Sequence, residues 1–304
     1  MEPVNTAITS QVSSPDLPDL IPHNPVGIGL RSNHYEEIIE DKPRDIGWLE
    51  IHPENYFGGG LNRYFLDKIR THYALSLHGV GLSLGADQPV SSPHLKAFKE
   101  LIDRYEPFNI SDHIAWSASG NAHLNDLLPL PYTQETLKRL CENIDQTQSY
   151  FKRNILVENP STYIAFKGNE MDEHDFMNEV CKASECGILL DVNNIYVQSH
   201  NHGLDPYTYI DAINPDFVGE IHLAGHIEKA IGSESLLIDT HNQLVCDGVW
   251  ELYHYTIEKM GQKPTLIEWD QDVPALQVLL DEANQAQSII NDIRNKTGRT
   301  HVTG

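Results

Sequence analysis

Short apolar stretches of this chain end, one after another, in side chains that bind metal ions. His52 follows Trp48–Ile51, His78 follows Ala74–Leu77, and Asp112 and His113 follow Phe108–Ile110. Glu158 and Asn159 follow Ile155–Val157, and Asp191 follows Ile188–Leu190, with Asn193 and Asn194 just beyond. His222 follows Phe217–Ile221, and Glu268 follows Thr265–Ile267. His, Asp, Glu and Asn are the set that holds borderline and hard divalent cations. No Lys or Arg follows these stretches to neutralise the carboxylates; the exception is Arg31, after Val26–Leu30. Carboxylates gathered in a partly buried bowl without cations cost several kcal/mol each and raise one another's pKa. Bound divalent ions remove that cost, and neutral imidazoles complete the coordination.

A further pair lies in Ile238-Asp239-Thr240-His241, read as part of the loop after Phe217–Ile221. In an extended segment, residues two apart point the same way, so one ion could take both. On spacing alone a solvated loop is an equal reading. The resulting set is four carboxylates (Glu158, Asp191, Asp239, Glu268) and four imidazoles (His78, His113, His222, His241). At about three protein ligands per ion, it would serve two or three ions with a bridging carboxylate. A single His at a strand end is more often a hydrogen-bonded structural residue, but equivalent placement of His78, His113 and His222 favours convergence. His226 lies four residues after His222, as in a helical metal pair, but the chain there is leaving a strand, so it reads as lying behind the ligands or facing substrate. His200 and His202 flank Asn201 in what reads as a loop.

The elements that must position these side chains alternate. Eight short runs rich in Ile, Leu and Val, not strictly alternating, fit strands buried on both faces of a parallel sheet. They are the seven above plus Val26–Leu30. Between them lie helical segments. Ser92-Pro93 opens one whose stripe is Leu95, Phe98, Leu101 and Ile102; Thr133 caps another with Leu137, Leu140 and Ile144 inward. Asp172 or Asp175 opens a third, Asp247–Met260 stops at Gly261, and the last runs from about Pro274 to Arg294. Eight strand–helix units predict a (β/α)8 TIM barrel, whose C-terminal mouth is where strand-end residues meet and where active sites of this fold lie. A doubly wound sheet is the alternative, but Gly58-Gly59-Gly60 lacks dinucleotide-binding spacing and reads as a turn.

Composition sets outer limits. The 304 residues carry 44 acidic and 21 basic side chains with 16 His, a formal charge of −23. Such a chain has no electrostatic footprint for nucleic acid and is poorly suited to an anionic membrane surface. No apolar run spans a bilayer. Residues 1–22 read as a flexible tail without the features of a secretory signal, residues 23–294 as one barrel domain, and residues 295–304 as a polar tail. The four cysteines (Cys141, Cys181, Cys186, Cys246) form no disulfide framework, which with the missing signal points to a reduced, cytoplasmic protein.

Seven ordered strings carry a family resemblance. They are Ser76-Leu77-His78-Gly79-Val80-Gly81-Leu82-Ser83-Leu84-Gly85, Ser111-Asp112-His113-Ile114-Ala115-Trp116-Ser117 and Glu158-Asn159-Pro160-Ser161-Thr162-Tyr163. They continue with Leu190-Asp191-Val192-Asn193-Asn194-Ile195-Tyr196-Val197, Ile221-His222-Leu223-Ala224-Gly225-His226, Ile238-Asp239-Thr240-His241 and Leu266-Ile267-Glu268-Trp269-Asp270. Together, from about Gly27 to Leu280, the chain resembles the multinuclear non-heme iron-dependent oxidases, long grouped as an uncharacterised domain family. The resemblance implies a TIM barrel with two or three iron ions, mixed-valent Fe(II)/Fe(III), at its mouth. It implies O2-dependent oxidation of cysteine residues in a ribosomally made precursor peptide, as in the making of copper-chelating or other thiol-modified peptides such as methanobactin. A separate partner protein often recognises the leader. Carried onto this chain, the ligands are His78, His113, Glu158, Asp191, His222, Asp239, His241 and Glu268, and the resemblance resolves Asp239 and His241 in favour of ligands. His52, Glu54, Asp112, Asn159, Asn194 and His226 are expected behind the ligands or at the substrate.

Two other classes fit part of the pattern. A divalent-metal barrel that isomerises or hydrolyses a sugar or phosphate ester also gathers Glu, Asp and His at strand ends, though a phosphate calls for basic groups and Arg31 is the one obvious candidate. A non-catalytic module that stores metal or binds peptide needs fewer converging ligands than this chain offers.

Overall fold

The computed structural model describes residues 24–119, 122–232 and 234–300. Eight parallel strands form a closed barrel in chain order. They are β1 (Val26–Gly29), β2 (Trp48–Ile51), β3 (Ala74–His78), β4 (Asn109–His113), β5 (Leu156–Glu158), β6 (Gly187–Asp191), β7 (Val218–Leu223) and β8 (Thr265–Ile267). Each overlaps an expected run. Closure is made by β1, which pairs with β2 on one side and with β8 on the other. Every residue of β1, β2, β3 and β8 is buried, because the barrel interior covers one face and the helices the other. At the seam of β1 and β2 the chain needs Gly27: a Cβ there would lie 2.4 Å from the Trp48 ring.

The helices are α1 (Tyr35–Asp41), α2 (Gly60–Ile69), α3 (Ser92–Tyr105), α4 (Gln134–Phe151), α5 (Glu173–Ser184), α6 (Val192–His202), α7 (Pro206–Ala212), α8 (Asp247–Met260) and α9 (Leu276–Thr300). The stripe Leu95, Phe98, Leu101 and Ile102 of α3 is buried. The Thr133 hydroxyl caps α4 by accepting from Thr136 N at 3.2 Å. Gly261, at φ 74, ends α8 as expected.

Three departures bear on the site. First, α6 starts directly after Asp191, whose side chain caps it, and runs through His202, so His200 and His202 occupy a helical turn and not a loop. Asn and His are weak helix formers, and the cap and the burial of the α6 inner face override that preference. Second, two antiparallel hairpins are inserted after strand ends: Trp116–Ser119 with Ala122–Leu128 after β4, and His226–Ile231 with Glu234–Asp239 after β7. The second carries the chain out and back, setting Asp239 opposite His226. Third, α9 continues six residues past Arg294 to Thr300. The expected C-terminal tail is therefore helical through Thr300, since Asn295–Thr300 contains no proline and one glycine costs only about 1 kcal/mol. The expected tail at 1–22 lies outside the described residues. Among the described residues, no helix is long and apolar enough to cross a membrane.

Candidate metal centre

His78 and His113 are the last residues of β3 and β4, and Glu158 is the last of β5. Because the three strands are neighbours, these ends meet. His78 Nε2 lies 3.0 Å from Glu158 Oε2, His113 Nε2 lies 3.2 Å from the same oxygen, and the two nitrogens are 3.3 Å apart. Despite this closeness Glu158 Oε2, which is buried, makes no hydrogen bond. Ligand atoms about 2.1 Å from one ion stand about 3.0 Å apart in an octahedron and about 3.4 Å apart in a tetrahedron. The triangle of His78, His113 and Glu158 has those dimensions. His78 is held from behind by Ser111 Oγ, 2.8 Å from Nδ1. Burial opposes a charge on His78, but Glu158 and Glu50 outweigh it and push its pKa up to about 10. Burial dominates at His113 and lowers its pKa to about 4. One carboxylate thus faces two imidazoles of opposite proton affinity.

Glu158 also belongs to a second group, with Asp191 and His222, all buried. Asp191 ends β6. Its Oδ1 accepts the Asn194 amide at 2.6 Å, while its Oδ2 is buried without a partner. Burial, and then Glu158, push the Asp191 pKa well above the carboxylate range. His222 turns Nδ1 toward Glu268 Oε2 at 3.1 Å. The Glu268 oxygen is shared with His241 Nδ1 at 3.3 Å. Burial works against ionisation of Glu268, yet His241 and His222 hold its carboxyl well below its ordinary value.

A third gathering surrounds His241. Its Nε2 is 2.7 Å from Asp239 Oδ1 without the angle for a hydrogen bond, and its Nδ1 is 3.4 Å from Asp270 Oδ2. His241 sits at φ 47, so the Asp239–His241 pair is brought together by a turn and not by the pleat that the spacing predicted. His52, Glu268 and Asp270 form a further group with metal-ligand spacing. Arg31 pairs with Asp270 and lies 3.1 Å from His52 Nε2. The Arg31 guanidinium is therefore committed to a carboxylate.

The structure brings all eight sequence-predicted ligands to one bowl. The other six candidates divide. Asn194 donates to Glu158 Oε1 at 3.3 Å, and Asn159 trades two bonds with the Asp191 backbone, at 2.9 and 3.0 Å. Asp112 faces away, accepting from the Leu82 and His113 amides. Glu54 pairs with His94 at 3.1 Å and accepts from Val80 N. His226 stacks on Tyr196 and meets Asn193 at 2.8 Å, and Asn193 in turn donates to Asp239. His52 stands at the rim.

Three polar residues escaped the sequence reading. Asp270 is two residues beyond Glu268 and reaches His241. Glu50 and Glu220 lie inside the barrel at His222 Nε2, 3.3 and 3.4 Å away. The available signal was period two: Glu50-x-His52, Glu220-x-His222 and Glu268-x-Asp270 each put both side chains on one face of an extended segment. The bowl opens into a cavity of about 340 Å³ walled by Val80, Leu127, Pro160, Ser161, Tyr163 and Gln271.

Comparison with known proteins agrees with this architecture. The chain is 45% identical over 266 residues to a UPF0276 protein of Psychromonas ingrahamii, covering 87% of this chain and 93% of that one. Among solved structures, it shares the barrel of endonuclease IV from Thermus thermophilus, with TM-score 0.56, 13% identity and coverage of 89% and 99%. It shares it also with D-psicose 3-epimerase from Clostridium cellulolyticum, with TM-score 0.53, 10% identity and coverage of 89% and 98%. At such identities the likeness is one of fold. Residues 25–291 match the family described as RiPP precursor modification enzyme MbnB/TglH/ChrH, and the chain belongs to that family.

Proposed function

We propose that this enzyme is a multinuclear non-heme iron oxidase that uses dioxygen to modify cysteine residues of its ribosomally made precursor peptide. One observation carries the metal part: buried, unbonded Glu158 Oε2 sits at ligand spacing from two imidazole nitrogens. Asp191 Oδ2 and His241 Nε2 are likewise buried without hydrogen bonds at the same mouth. Orphaned polar atoms of this kind cost about 1–3 kcal/mol each, and coordination satisfies all of them. The donor set of imidazole and carboxylate suits iron.

On this reading His78, His113 and Glu158 would hold one ion, and Glu158, Asp191 and His222 a second. His241, Asp239 and Glu268, with His52 and Asp270 beside them, would hold a third. Bound iron supplies one-electron chemistry with dioxygen and affinity for thiolate sulfur. The chain supplies the rest. Glu158 would be common to the first two groups, and Glu268, 3.1 Å from His222 Nδ1 and 3.3 Å from His241 Nδ1, stands between the second and the third. Asn194 and Asn159 hold Glu158 and Asp191 in place. The cavity admits a side chain and its adjoining backbone, not a folded domain, as entry of one cysteine of an extended peptide requires. Tyr163, whose hydroxyl accepts from the Asp239 amide, and Ser161, which donates to Asp239 at 3.1 Å, close the wall and limit water. A leader-binding partner protein completes the proposal.

The test is reconstitution of anaerobically purified protein with ferrous ion. The proposal expects at least two irons per chain, uptake of dioxygen and a mass change on a cysteine-containing peptide encoded beside the gene. Less than one iron per chain would overturn it. Full turnover with magnesium or zinc and no oxygen uptake would favour the isomerase or hydrolase alternative.

A further inference from the structure

Beneath the mouth, the barrel holds two carboxylates that the proposed chemistry leaves without a task. Glu50 on β2 and Glu220 on β7 are 2% and 0% exposed. Among the described residues, neither is paired with lysine or arginine. Glu220 Oε2 accepts from Asn109 Nδ2 at 2.8 Å and from Ser76 Oγ at 3.2 Å, which fixes its carboxylate. Its Oε1 and Glu50 Oε1 converge on a single atom, His222 Nε2, at 3.4 and 3.3 Å. Glu50 Oε2 is buried without a partner. On the opposite edge of the same ring, Nδ1 faces Glu268 and the bowl.

A neutral imidazole has one N–H and one lone pair, and an ionised carboxylate only accepts. Carboxylate oxygens stand at both nitrogens, Glu268 at Nδ1 and Glu50 and Glu220 at Nε2. An ion shared by Glu268 and His222 on the bowl side would take the Nδ1 lone pair and leave the N–H on Nε2, where Glu50 and Glu220 accept it. We propose that Glu50 and Glu220 are positioning residues that keep the His222 proton on Nε2 and so make Nδ1 its metal-binding nitrogen. The inference rests on the metal-centre reading of the mouth. A hydrogen bond from the far nitrogen to a carboxylate also raises the basicity of the ligating one, and loss of such a partner typically costs 10–100-fold in metal affinity. Buried in the barrel, Glu50 and Glu220 are beyond reach of a substrate at the mouth, so their effect is exerted through His222.

Zinc is the diamagnetic probe. Protein labelled with 15N in histidine is loaded with zinc and its imidazole nitrogens are read by long-range proton–nitrogen NMR, the His222 signals being assigned by their loss in His222→Gln. The expected result is a protonated Nε2 and a zinc-shifted Nδ1. A zinc-shifted Nε2 with a protonated Nδ1 would overturn the inference, and this measurement needs no variant at Glu50 or Glu220. If the wild type binds no zinc at all, the metal-centre reading itself is what fails.

The variants Glu50→Gln and Glu220→Gln keep shape but offer an amide that can turn its NH2 toward Nε2. Each is expected to weaken the ion held by His222 about 10–100-fold in chelator competition and to shift or abolish the Nε2–H signal. In Glu220→Gln the ion at His78 and His113 should keep its affinity. Unchanged affinity and an unchanged Nε2–H signal in both variants would overturn the proposal. Should either fail to fold, the wild-type spectrum still decides.

Discussion

Glu158→Gln is the most informative perturbation, because Glu158 is a member of two groups with metal-ligand spacing whereas His113 is a member of one of them. An ion present at 100 times its Kd stabilises a fold by about 2.7 kcal/mol. A chain of this size shifts by about 2 °C per kcal/mol, so each ion raises Tm by about 5 °C. Filling all three groups should raise the Tm of chelated wild type by about 15 °C, of which about 10 °C comes from the two that share Glu158. Glu158→Gln removes a donor from both, and only the increment of about 5 °C from the His241 group should remain. His113→Gln removes a donor from one, and about 10 °C should remain. The assay is calorimetry of chelated protein before and after anaerobic addition of ferrous ion, with metal content measured in parallel. An undiminished shift in Glu158→Gln would refute a role for this carboxylate in holding ions. Equal losses in the two variants would refute its being shared.

Other expectations follow from the same structure. Burial pushes the Glu282 carboxyl up to about 7, so wild type loses stability as pH rises from about 4.5 to about 7, the folded form taking up the proton more readily. Glu282→Gln should thus be more stable than wild type at pH 8 by on the order of 1 kcal/mol after screening, and no more stable at pH 4, as read from urea midpoints. Asn159→Ala removes both bonds to the Asp191 backbone and leaves the buried Asp191 N–H without that partner; a loss of about 1–3 kcal/mol in denaturant titration is expected, together with weaker ion binding. Gly27→Ala drives a methyl group into Trp48, whose indole is tied to Pro25 O at 3.0 Å, and should cost about 3 kcal/mol; wild-type stability in that variant would contradict the β1–β2 register.

The barrel was legible because its signal is local. A strand covered on both faces must be short and apolar, and its last residue is the first to reach the mouth, so runs such as Ile188–Leu190 announced both the strand and Asp191 beyond it. What lies off the strand ends was harder. The hairpin that returns Asp239 to His226 mixes charged residues with Ile227, Ile231 and the run Leu236-Leu237-Ile238 and so lacks a clean alternation, and its strands read as loop. Helix α6 carries three Asn and two His, weak helix formers that conceal a segment held by burial and by the Asp191 cap. Glu50 and Glu220 were missed for a different reason. A lone acid in a short strand ordinarily faces solvent, and that these two face inward becomes evident only when the strand is known to belong to a closed barrel.

Closure of the barrel by its first and last strands has a consequence for biogenesis. β8 enters the sheet by pairing residues 265–267 with 26–28 on one side and 221–223 on the other. Glu268 and Asp270 arrive with it. Pairings of such long sequence separation are slow to form, since loop-closure entropy is spent before contacts reward it. A nascent chain emerging from the ribosome can assemble the triangle of His78, His113 and Glu158 once β5 is out, yet it cannot complete the His241 gathering until the ring has shut. On the proposed function, ion uptake would therefore be stepwise, an early, local ion and a late one. The occupancy of the late one would then be a chemical record of whether a given molecule has finished folding.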